Sequence, residues 1–109
     1  MNIETLRDYC LSLPGASEHF PFDETTLVFK ANGKIFALTD LEGPLSANLK
    51  CDPELAIELR EQYPSVKPGY HMNKKHWNTV EIDGTLSDKL LIEWIDHSYN
   101  LIAGPKKKK

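Results

Sequence analysis

Thr25-Thr-Leu-Val-Phe-Lys-Ala-Asn-Gly-Lys-Ile-Phe-Ala-Leu-Thr39 decides the fold. Thr25–Lys30 and Lys34–Thr39 are rich in β-branched and aromatic residues, which suit a pleated, half-buried surface. Ala31-Asn-Gly-Lys34 separates them. Asn-Gly between two such arms is the strongest short hairpin signal, because both residues tolerate positive φ. An antiparallel hairpin therefore anchors the reading.

Upstream of it, Ile3, Leu6, Cys10 and Leu13 fall at helical spacing. Asn2 is placed to cap that helix, and Pro14-Gly15 stops it. Downstream, Pro44 to Lys50 reads as a strand, with Leu45, Ala47 and Leu49 alternating against Ser46, Asn48 and Lys50. Asp52-Pro53 opens a second helix, with Asp at the N-cap and Pro at the first helical position. Leu55 and Leu59 mark its apolar stripe, and Pro64 closes it. Pro68-Gly69 reads as a turn, Trp77 to Ile82 as a strand, and Asp83-Gly84 as its end. Ser87 caps a last helix with Leu90, Leu91, Trp94, Ile95, Ser98 and Ile102 on one side, ended by Gly104-Pro105. The order is helix, strands, helix, strands, helix. Strands grouped in runs predict an α+β fold with an antiparallel sheet. Residues 1–105 are expected to form one domain and Lys106–Lys109 a disordered tail.

Composition narrows the function. The chain has 109 residues, 40% hydrophobic and 27% charged, enough for one soluble core. Apolar runs are too short for a membrane span, and the N-terminus lacks the pattern of a signal peptide. Two cysteines, Cys10 and Cys51, suggest reduced thiols in a cytoplasmic protein. Net charge is −3, with 13 basic and 16 acidic residues. Four of the basic residues are the terminal lysines, so the body carries nine against sixteen, or −7. Any attraction for nucleic acid must be a local patch.

One window fits that description: Lys67-Pro-Gly-Tyr-His-Met-Asn-Lys-Lys-His-Trp-Asn78. No Asp or Glu lies between Glu61 and Glu81, so Lys67, Lys74 and Lys75 appear without local counter-charges. Cations, aromatic faces and amides are the groups that meet phosphates and bases. The expected nucleic-acid contacts are Lys67, His71, Asn73, Lys74, Lys75, Trp77 and Asn78, with Lys30 and Lys34 beside the hairpin turn as a second wing. The bland reading stands beside it: a loop folded back on the sheet, with Tyr70 and Trp77 as core aromatics and its polar groups satisfying backbone.

Other chemistries have weaker support. A metal site would need His71 and His76 with Cys51 or His97, and His-x4-His off a helix is not a zinc signature. Cys10 lies on an apolar stripe, where a thiol behaves as a small hydrophobe. Cys51 precedes a helix N-terminus, which should lower its pKa. No catalytic signature accompanies it, so no enzyme activity, metal or cofactor is expected. Glu58 and Glu61 beside Arg60 read as a solvated face.

The chain resembles the MmcQ/YjbR-like family over essentially its whole length. The matching stretches are Leu13-Pro-Gly-Ala16 with Pro21-Phe22, Phe29-Lys30 with Gly33-Lys-Ile-Phe-Ala-Leu38, and Leu49-Lys-Cys51 with Asp52-Pro53. Pro68 to Asn78 and Ser98-Tyr99 complete them. The resemblance implies a two-layer fold similar to bacterial frataxin and to type III secretion chaperones. It also implies DNA binding by a double-wing motif. Frataxin-like iron binding would need an acidic first helix, and this one offers only Glu4 and Asp8 with Arg7 between them. The expected partner is DNA, bound weakly by a monomer. The rival expectation is a protein-interaction module using the same segment on a polypeptide.

Overall fold

The computed structural model describes residues 1–69 and 72–103. Helix α1 spans Ile3–Ser12 and strand β1 spans Ser17–His19, followed by β2 Thr26–Ala31, β3 Lys34–Asp40 and β4 Ser46–Lys50. Helix α2 runs Pro53–Gln62, then β5 Val66–Pro68, β6 Trp77–Glu81 and α3 Asp88–Ala103. The predicted α+β order holds. Gly104-Pro105 and the lysine tail lie outside the described residues. No helix among the described residues is long and apolar enough to cross a membrane.

The local signals act as their chemistry requires. Asn32 and Gly33 both take positive φ, 55° and 77°, the geometry of a two-residue hairpin turn. Asn2 accepts from the Thr5 N–H at 2.8 Å, and its own N–H donates to Thr5 Oγ1 at 2.9 Å. Asp52 Oδ2 accepts from the N–H groups of Glu54 and Leu55 at the start of α2. The Ser87 hydroxyl accepts from the Leu90 N–H at 3.2 Å, as a cap of α3.

All six strands pair antiparallel in the order β1-β2-β3-β4-β6-β5. β1 and β5 are three-residue edge strands that the periodicity did not predict. Pro68, expected in a turn, ends β5 instead; an edge strand tolerates a residue without an N–H.

The helices pack on one face of the sheet. Leu27, Phe29, Phe36, Ala47, Leu49 and Val80 join Leu6, Cys10, Ala56, Leu59, Trp94, Ile95 and Tyr99 in the core. Phe36 meets the Tyr99 ring edge-on at 5.5 Å, and Tyr63 meets Trp94 at 5.2 Å. Ser98 fixes α3 to the sheet: its hydroxyl accepts the Lys50 N–H at 2.9 Å and donates to the Phe36 carbonyl.

Strand alternation assigns the opposite, helix-free face. Val28 and Leu38 are buried yet stand outside the core cluster. They share a cross-strand row with His19, Asn48, Thr79 and Lys67. The neighbouring row holds Lys30 opposite Ile35, and Lys50 opposite Trp77.

Candidate nucleic-acid interface

The connection from β5 to β6 turns on a close approach. The Gly69 N–H donates to the Trp77 carbonyl at 2.9 Å. A Cβ at Gly69 would lie 2.8 Å from Trp77 Cβ, closer than real side chains come. Glycine is therefore the residue that lets the loop fold onto its own strand.

Asn73 organises the far side of the loop. Its side-chain oxygen accepts the Lys75 N–H at 2.9 Å, and its carbonyl accepts the His76 N–H at 3.2 Å. The loop is then fastened from two sides. The His76 carbonyl accepts the Cys51 N–H at 2.7 Å, at the end of β4. From α2, Arg60 Nε donates to Asn78 Oδ1 at 2.7 Å, and its Nη2 donates to the Lys74 carbonyl. Asn78 Nδ2 donates in turn to the Ala56 carbonyl at 3.3 Å.

This geometry sorts the expected contacts. Lys74, Lys75 and Asn73 are exposed, and neither lysine forms an ion pair among the described residues. Trp77 is half-buried and, by register, stands on the helix-free face opposite Lys50. Lys30 is half-buried on that face, and Lys34 is exposed at the hairpin. His71 lies outside the described residues, as does Tyr70.

Two expectations are corrected. Asn78 is only 2% exposed and both ends of its amide are used inside the protein, so it faces no base edge. Lys67 is not free of counter-charge: its Nζ lies 3.1 Å from Glu81 Oε2 on the adjacent strand. The acid-free window in sequence ends at the residue that register brings alongside. Arg60, read as part of a solvated face, is the residue that sequence reasoning missed. Its spacing resembled that of its exposed neighbours Glu58 and Glu61, and only the tertiary fold sets it against Asn78.

The thiols follow burial. Cys51 is 5% exposed, and desolvation, followed by the nearby Asp52 charge, pushes its pKa up to about 11 against the opposing pull of Arg60. The expected lowering by the helix N-terminus is overturned, because burial in apolar surroundings dominates. Cys10, fully buried, is pushed up to about 12 by desolvation. His97 Nε2 accepts the Asp52 N–H at 3.1 Å. The apolar cavity lined by Cys51, Leu59, Trp94 and His97 holds about 10 Å³, room for no more than a water. Among the described residues no three His, Cys, Asp or Glu side chains converge as a ligand set.

Comparison with known proteins agrees with this fold. The family model described as YjbR matches residues 11–101. The chain is 44% identical to an Escherichia coli O157:H7 protein named YbdF, uncharacterized, over 92% of this chain and 83% of that one. It is 37% identical to the uncharacterized Escherichia coli K12 protein YjbR, over 99% of this chain and 96% of that one. Among solved structures, Deinococcus radiodurans protein DR2400 superposes with a TM-score of 0.89 at 46% identity, covering 99% of this chain and 83% of that one. A Pseudomonas syringae protein superposes at 0.82 with 31% identity, covering 93% and 98%.

Proposed function

The chain belongs to the YjbR family, and we propose that it binds nucleic acid weakly through its β5–β6 loop and the adjoining end of the sheet face opposite the helices. One observation carries the reading. Lys74 and Lys75 are exposed without ion pairs among the described residues, on a backbone held by Arg60, Asn73 and Cys51. Phosphates meet such lysines without the protein first breaking an internal pair. Lys30, Lys34 and Lys50 extend the positive charge across the hairpin end. Trp77 offers an aromatic face beside them for stacking. Asp40 and Glu81 stand at the other end of the same face, so the footprint is short.

Binding to labelled duplex over a salt series tests this. If Lys74 and Lys75 each neutralise one phosphate, they supply about −1.8 of the log–log slope, and replacing both with Ala removes it. Removal of Lys106–Lys109 controls for nonspecific attraction by the tail. A slope unchanged by Lys74→Ala with Lys75→Ala, but lost with the tail, refutes the proposal. An apolar contact between the same loop and a polypeptide would instead be nearly insensitive to salt.

A further inference from the structure

The end of the sheet away from the hairpin turn has the opposite character. Phe20, Phe22 and Leu41 are 49%, 64% and 44% exposed, three of the five exposed large hydrophobic residues described. The other two, Ile57 and Leu101, stand singly on α2 and α3. Phe20 and Phe22 lie in the β1–β2 loop, and Leu41 in the β3–β4 loop. These loops are joined directly, because the Leu41 N–H donates to the Thr25 carbonyl at 2.7 Å. Both turns are set by their own carboxylates. Asp23 Oδ1 accepts the N–H groups of Thr25 and Thr26 at 2.9 and 2.7 Å, and Asp40 Oδ1 accepts that of Glu42 at 2.9 Å. The backbone hydrogen bonds to Thr25 and Thr26 hold Asp23 below the usual carboxylate range, so it stays charged.

Asp23, Glu24, Asp40 and Glu42 thus surround the apolar group, and none of them forms an ion pair among the described residues. Exposed apolar clusters with a polar rim mark interaction sites. The sign of this rim selects the partner. It repels phosphate and anionic lipid headgroups, and it attracts cations. Alongside, β1 is an edge strand of the sheet, and among the described residues no strand pairs with its outer backbone edge, which can pair with an extended chain.

We infer that this end of the molecule docks an extended polypeptide segment in which Lys or Arg residues flank an apolar core. The apolar side chains cover Phe20, Phe22 and Leu41, while the flanking cations meet the four carboxylates. The surface is separate from Lys74 and Lys75, so the inference does not depend on nucleic-acid binding.

The test uses the full chain and a labelled synthetic peptide carrying lysines on both sides of a Leu-Ser-Phe centre. A second peptide has glutamate for lysine, and a third has serine for Leu and Phe. Fluorescence anisotropy is expected to show the first peptide binding at least about ten-fold more tightly than either control. Phe20→Ser with Phe22→Ser, and separately Glu24→Gln with Glu42→Gln, should each weaken it by about ten-fold while melting like the parent. All four positions are exposed, so folding is preserved. Amide shifts on titration should centre on residues 20–24 and 41–42. Equal binding of the three peptides overturns the inference. So does undiminished binding by both variants, a shift map centred on residues 72–78, or no binding at about millimolar peptide.

Discussion

Replacing Arg60 with Ala separates a structural clamp from a solvated charge. In the folded protein Arg60 Nε reaches Asn78 Oδ1 at 2.7 Å, and Asn78 is 2% exposed. Truncation leaves that amide oxygen buried with no donor. A hydrogen bond from a charged donor contributes about 1.5–3 kcal/mol, and an orphaned buried acceptor costs a similar amount. The lost bond to the Lys74 carbonyl adds little, because that group is exposed and water replaces the donor. Arg60→Ala is therefore expected to lower stability by about 2–3 kcal/mol. In a thermal melt that corresponds to a fall of roughly 10–20 °C for a domain of this size. Urea unfolding gives the free energy directly, and Asn78→Leu in the Arg60→Ala background completes the argument. Leu removes the orphaned oxygen, so the double variant should lose at least about 1 kcal/mol less than the two single losses added. If Arg60→Ala costs less than about 0.5 kcal/mol, the side chain is an ordinary surface charge and the clamp is refuted.

Gly69→Ala forces a methyl to 2.8 Å from both Trp77 Cβ and its carbonyl, and should cost about 1–3 kcal/mol by denaturant melt. Lys67→Ala should change stability by less than about 1 kcal/mol, since Lys67 and Glu81 are 52% and 45% exposed as side chains. The thiols predict an alkaline loss of stability. Cys51 and Cys10 rise from 9.0 to about 11 and about 12 on folding, so the folded state holds protons that the unfolded chain releases. Stability is then full below the unfolded thiol pKa and falls as pH rises from 9.0 toward about 11. Urea unfolding at about pH 8 and about pH 10 should show the drop, and Cys51→Ala should reduce it. In the native protein at about pH 8, both thiols should react with a disulfide reagent far more slowly than in urea.

The hairpin, the caps at Asn2, Asp52 and Ser87, and the three helices were legible because each is specified by neighbours in sequence. β1 and β5 were not, because three residues carry no measurable alternation and their pairing is dictated by β2 and β6. The candidate site divides the same way. The exposure of Lys74 and Lys75 was legible from residue type, since exposure of lysine needs little context. Asn78, Arg60 and the Lys67–Glu81 pair were misread. Their surroundings come from α2 and a cross-strand register that sequence proximity does not report. Cys51 was misread for an energetic reason: its position before a helix suggested a lowered pKa, but desolvation and the neighbouring Asp52 charge raise it.

The place of β6 in the sheet bears on how the chain reaches this state during synthesis. β6 is made late, yet it sits between β4 and β5 and is the strand that joins them. While only the first 68 residues have been made, β1 to β4 can zip together through successive neighbours, but β5 has no partner and α2 cannot close over a finished sheet. Val80, which pairs with both Ala47 and Val66, completes the central part of the core in one step. A nascent chain stalled before Trp77 exposes the open edge of β4, with Ala47 and Leu49 uncovered. Such an edge is a template for pairing with another chain, so the interval before β6 emerges is when this protein is most prone to misassociate.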